Sequence, residues 1–125
     1  MSQKFGTVVN CMDGRVQLPV IDYLKNNYAL DYVDVISEPG PNGILAKNND
    51  LTKINSIRER IDISLNAHHS NLIAVVGHYD CAGNPVSDEK QLQDILESVA
   101  KLKEWYPTVH ILGLWVGEDW QVSSV

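Results

Sequence analysis

The chain has 125 residues, 44% of them apolar and 21% charged, which excludes a disordered chain and fits one domain over residues 1–125. Ten Lys and Arg against sixteen Asp and Glu give a net charge of −6, so neither nucleic acid nor an anionic membrane is expected as the main partner. No apolar run approaches the ~18 residues of a membrane span, and the start lacks the apolar core of a secretory signal, which points to the cytoplasm.

From the N-terminus, Phe5 to Cys11 is a short β-branched run that predicts a central strand. Leu18 to Asn27 places Val20, Ile21 and Leu24 on one face of a helix, with Pro19 suited to its first turn. Tyr32 to Ile36 predicts a second strand, and the two prolines and two glycines of Ser37 to Gly43 predict a loop. That loop lacks the Gly-Lys-Ser/Thr ending of a phosphate cradle. Leu51 to His68 is a long helix with Ile54, Ile57, Ile61 and Leu65 spaced by three and four. Leu72 to Gly77 is continuously apolar, as in a strand buried on both faces of a parallel sheet. Asp88 to Tyr106 predicts a third amphipathic helix with Leu92, Ile95, Leu96, Val99 and Leu102 inward. Val109 to Val116 predicts a fourth strand, followed by a polar tail around Trp120.

Alternating strands and helices of this length imply an α/β fold, a mainly parallel sheet of about four strands flanked by helices. Ligands of such sheets bind beyond the carboxyl ends of the strands. Two segments with unusual chemistry fall there: Cys11-Met-Asp-Gly-Arg15 after the first strand, and His78-Tyr-Asp-Cys81 after the third.

The two cysteines, Cys11 and Cys81, leave three readings in a reduced cytosolic chain: buried hydrophobes, a redox pair, or metal ligands. His78 and Cys81, three residues apart on one turn, can point to one spot. If the first and third strands are neighbours, Cys11 reaches the same crevice. Two thiolates and one imidazole then match the three protein ligands of a catalytic zinc, which leaves a fourth position for water. Arg15 can hold the Asp13 carboxylate through a bidentate ion pair, beside that position; a local surface ion pair is the plainer alternative.

These residues resemble the β-class carbonic anhydrases. Cys11-Met12-Asp13-Gly14-Arg15 corresponds to that family's Cys-x-Asp-x-Arg, and Gly77-His78-Tyr79-Asp80-Cys81 to its Gly-His-x-x-Cys, followed by Ala82-Gly83. The resemblance implies Cys11, His78 and Cys81 as zinc ligands and Asp13–Arg15 as the catalytic dyad that controls access to the metal. It implies hydration of carbon dioxide to bicarbonate by a zinc-bound hydroxide, and a homodimer or a dimer-based oligomer. Two departures stand out. The family's Arg-Asn-Ala-Gly segment reads Ser37-Glu38-Pro39-Gly40 here, and the N-terminal helices that wrap a partner subunit do not precede the first strand, so a smaller interface is expected. Other readings are a hydrolase of carbonyl sulfide or carbon disulfide, a non-catalytic structural or thiol-sensing zinc protein in which Asp13 closes the site, and a metal-free redox pair.

Outside the motifs, His68 and His69 suit the C-terminal end of a helix dipole, with proton relay as an alternative. His110 is expected to be packed or half-exposed in its strand. Trp105, Tyr106, Trp115 and Trp120 suit core packing, or a subunit interface if exposed together.

Overall fold

The computed structural model describes residues 3–125. Its strands are β1 (Phe5–Cys11), β2 (Tyr32–Glu38), β3 (Leu72–His78), β4 (His110–Val116) and β5 (Val122–Ser124). Its α-helices are α1 (Gln17–Tyr28), α2 (Pro41–Lys47), α3 (Leu51–Ala67) and α4 (Asp88–Trp105), and a 3-10 turn at Gly14–Val16 leads into α1. The sheet order is β2-β1-β3-β4-β5, with β1–β4 parallel and β5 antiparallel to β4.

Period-two alternation divides the strand residues between two cores. Val8, Ala74, Val76, Leu112 and Leu114 pack with Val16, Val20 and Leu24 at the start and along the length of α1. Val9, Ile73, Val75 and Ile111 pack on the other face against Leu45 of α2, Ile54, Ile57 and Ile61 of α3, and Leu102 of α4. Every residue of β3 is buried, as its unbroken apolar run predicts.

The structure corrects the expected pattern in three places. Among the described residues there are five strands rather than about four, because the polar tail folds back: the amide of Trp120 donates to the carbonyl of Gly117 at 2.9 Å, and Val122 then pairs with Val116. The segment expected as a loop at 37–43 instead starts a helix at Pro41, since proline has the φ of a first helical turn and no amide to satisfy there, while Leu45 supplies a buried anchor. On α4, Leu96 is exposed, and the buried stripe runs through Gln91, Asp94, Ile95, Ser98 and Leu102.

That stripe is polar because it faces polar partners. Asn42 of α2 donates through Nδ2 to Gln91 Oε1 at 2.8 Å, and Asn84 donates through Nδ2 to Asp94 Oδ2 at 3.0 Å. Gln91 Nε2 donates to the Asn84 carbonyl at 2.7 Å, and Ser98 Oγ donates to the Asn42 carbonyl at 3.0 Å. Buried polar groups paired in this way avoid a desolvation penalty of about 1–3 kcal/mol each. The network ties α2, α4 and the loop after β3 into one unit.

The same loop crosses the end of β2 at van der Waals distance. A Cβ at Gly83 would lie 2.4 Å from the Pro39 carbonyl carbon, and one at Gly40 would lie 2.6 Å from that of Gly83. Gly40 also has φ of +60°, where a side chain is strained. Gly83→Ala is therefore expected to destabilise the fold by about 1–3 kcal/mol, because backbone rather than a mobile side chain must move. Gly14→Ala, with nothing within 4 Å of the added methyl, should stay within about 0.5 kcal/mol of wild type. Urea denaturation of both variants compares them directly, and equal midpoints would refute the close crossing.

Candidate metal centre

β1 and β3 lie side by side, with Thr7, Val8 and Val9 in register with Ile73, Ala74 and Val75. Their carboxyl ends therefore deliver Cys11 and His78, each the last residue of its strand, to one place. The turn after His78 places Asp80 at φ +57° and returns Cys81 to the same spot. Cys11, His78 and Cys81 are all buried, and their ligand atoms lie within 4.8 Å of one another.

Three observations test whether these residues suit a metal. The two Sγ atoms are 3.9 Å apart, and two thiolates bound tetrahedrally to zinc at ~2.3 Å stand about 3.8 Å apart. Nδ1 of His78 lies 2.7 Å from the Tyr79 carbonyl, which fixes the proton on Nδ1. Nε2 of His78 is buried without a hydrogen-bond partner, so its lone pair is left for a Lewis acid. The donor set fits a thiophilic divalent cation such as zinc.

The electrostatics agree. The two sulfurs lie within hydrogen-bond reach of each other, and this contact lowers the pKa of Cys11 and raises that of Cys81, so one proton serves two sulfurs. Burial works against charge on His78, but the Cys11 sulfur and the Tyr79 carbonyl outweigh it and raise its pKa.

Asp13 stands beside this group and does not join it. Its Oδ1 accepts from the Arg15 amide at 2.9 Å and from Arg15 Nε at 3.0 Å, and its Oδ2 accepts from Arg15 Nη2 at 2.7 Å. These bonds hold the Asp13 carboxyl down at about 2. Since the folded pKa lies below the usual carboxylate value of about 3.9, the stabilisation is present above that pH and is lost as pH falls through 2. Gln17 Nε2 braces the turn by donating to the carbonyls of Cys11 at 2.7 Å and Asp13 at 2.9 Å. A cleft of about 220 Å³ opens here, lined by Cys11, Met12, Asp13, Pro39, Ala82 and Gly83.

The five motif residues thus come together, and the structure adds two that spacing did not reveal. Asp80 receives Arg15 Nη1 on Oδ2 at 3.3 Å and Arg15 Nη2 on its carbonyl at 3.2 Å. Trp120 lies under the Arg15 guanidinium, 4.4 Å from Cζ to the ring centroid. Asp80 was visible inside the His78–Cys81 motif, whereas Trp120 arrives only through the β4–β5 turn.

The other histidines lie elsewhere. His68 caps the C-terminus of α3, with Nδ1 2.7 Å from Asp34 Oδ2 and its ring stacked on Phe5, at the opposite end of the sheet. His110 is exposed at the start of β4 and meets Tyr28 edge-on. Trp105, Tyr106 and Trp115 are partly buried. Among the described residues no helix is long and apolar enough to cross a membrane.

The arrangement is an α/β sheet with a Cys/His/Cys group at the strand ends, and solved structures share the fold. A tetrameric β-carbonic anhydrase from Sordaria macrospora is 10% identical, with 100% of this chain covering 82% of that one at a TM-score of 0.62. The β-carbonic anhydrase CcaA is 15% identical, with 99% of this chain covering 74% of it at 0.64. The β-carbonic anhydrase CafD of Aspergillus fumigatus is also 15% identical, with 99% covering 90% at 0.59. No curated protein matches the sequence. The family described as "Putative carbonic anhydrase" matches residues 1–125, and the chain belongs to it, with a fold shared with the β-carbonic anhydrases.

Thiols this close need move only about 2 Å to bond. Air oxidation of metal-free protein should therefore join Cys11 to Cys81, with a mass loss of two hydrogens. Two freely alkylatable thiols after that treatment would contradict the shared site.

Proposed function

We propose that this protein is a zinc-dependent carbonic anhydrase that hydrates carbon dioxide to bicarbonate. Cys11, His78 and Cys81 would hold one zinc, with two thiolates balancing its charge. The observation that carries the reading is the capture of both Asp13 oxygens by Arg15, which keeps the carboxylate out of the three-donor group and beside the cleft. Zinc, when bound, supplies a Lewis acid that makes water nucleophilic near neutral pH.

The chain's own residues supply the rest. Asp13 remains ionised and retains an unused lone pair on Oδ2, with which it can accept a proton-bearing contact from water in the cleft. Arg15 fixes the direction of that lone pair. The apolar surfaces of Met12, Pro39 and Ala82 suit a small apolar substrate and leave it no competing hydrogen bond. Tyr79 holds the His78 ring through its carbonyl. The same cleft would admit carbonyl sulfide or carbon disulfide. We also read the protein as cytoplasmic, where buried paired thiols stay reduced, and as a homodimer or an assembly of dimers, in keeping with the tetrameric Sordaria enzyme.

Metal analysis is expected to return one zinc per chain, with Cys81→Ser losing both zinc and stability. Asp13→Asn should keep zinc and lose about 100-fold or more in carbon dioxide hydration, as expected for a lost orienting or general-base contact. Zinc-loaded wild type that hydrates neither carbon dioxide nor its sulfur analogues between roughly pH 6 and 9 would overturn catalysis and leave a structural zinc site.

A further inference from the structure

Arg15 is held on three sides, and its carboxylate partner explains only one of them. Its side chain is 46% solvent-exposed, so the pair with Asp13 alone would compete with water and with other rotamers. Asp80, on the turn between His78 and Cys81, accepts from two of its guanidinium nitrogens. The face of the Trp120 ring covers the guanidinium plane at 4.4 Å.

The backbone at Trp120 is unusual. Its φ is +60°, in the left-handed region that glycine or asparagine normally fills and a bulky aromatic seldom does. The turn is closed on both sides, by the Trp120 amide on the Gly117 carbonyl at 2.9 Å and by the Gly117 amide on the Gln121 carbonyl at 3.2 Å. Strain of this kind persists only where surrounding contacts over-determine it, and it clusters at functional sites. The ring that this conformation delivers also lies 6.4 Å from the rings of both His78 and Tyr79. The antiparallel hairpin of β4 and β5 thus ends against the Asp13–Arg15 pair.

We propose that Trp120 is a positioning residue: it holds the Arg15 guanidinium by a cation–π contact so that Arg15 keeps the Asp13 carboxylate turned away from the Cys/His/Cys group. The catalytic part of this role rests on the function proposed above; the hold on Arg15 does not. Without the ring, Arg15 gains rotamers in which Nε no longer faces Asp13 Oδ1, and the released carboxylate can swing toward the three donors. An aliphatic side chain could fill the same space against the core, but it offers no negative ring face to a cation.

The test measures hydrogen exchange of the Arg15 Nε–H by NMR in metal-free protein, for wild type, Trp120→Phe, Trp120→Leu and Trp120→Gly. In wild type this proton is expected to be protected by its bond to Asp13. Trp120→Phe should keep most of the protection. Trp120→Leu, which preserves apolar packing, should exchange roughly two- to fivefold faster, the range an exposed cation–π contact supports. Trp120→Gly, which relieves the left-handed backbone, should do the same with a folded spectrum. Unchanged protection in both Leu and Gly variants would overturn the proposal, as would equal loss in Phe and Leu. In the zinc-loaded protein, the Leu variant should lower kcat by a similar factor with KM unchanged, and the Phe variant should restore it. A wild type with no hydration activity would remove the carbonic anhydrase reading while the exchange result still decides what Trp120 holds.

Discussion

The site depends on two stretches of backbone that touch. At Gly40 and Gly83 the loops leaving β2 and β3 approach so closely that neither can carry a side chain. This contact sets the height of the Cys81 turn above the sheet, and so sets how far the Cys81 sulfur stands from Cys11. It also explains why Asn84, the next residue, is fully buried and tied to α4: the chain has to be anchored immediately after its tightest crossing. The polar stripe on α4, unusual for a helix packed on a sheet, is the far end of that anchor.

Around the crossing, charge is arranged in two separate compartments. The inner one holds two sulfurs that share a proton and a buried histidine nitrogen, Nε2 of His78, that no described group meets with a hydrogen bond. The outer one holds Asp13 and Asp80 around Arg15, one guanidinium shared by two carboxylates, which leaves a net charge of −1. Separation matters because a carboxylate free to move would be drawn to any divalent cation held by the inner group. Arg15 competes for it with two parallel charge-assisted bonds, a geometry that lysine could not reproduce.

Much of this was legible in the sequence because it follows from local rules. The apolar run of β3 and the β-branched run of β1 mark buried strands, and Cys11, His78 and Cys81 share one crevice provided those strands are neighbours, a pairing that the structure supplies. Asp13 and Arg15 are two residues apart on one turn and meet by necessity. What escaped depends on contacts between distant segments. Pro39-Gly-Pro-Asn-Gly43 has the composition of a turn and becomes a helix only because Leu45 finds a core pocket and Asn42 finds Gln91. The inward stripe of α4 follows hydrogen-bonding partners on α2 and on the loop after β3 rather than hydrophobicity, which is why Leu96 faces solvent while Asp94 does not. Trp120 sits 105 positions from Arg15 in the chain, and no spacing rule links a tail residue to a guanidinium at the other end.

The short strand β5 also governs how this sheet can meet another. It occupies the outer side of β4 and presents only three residues of backbone beyond it, whereas β2 on the opposite border runs for seven residues with Tyr32 and Val35 exposed. The β2 border is therefore the one whose run of backbone is long enough to template another strand. Two molecules that joined there, related by a two-fold axis, would pair both of those borders at once.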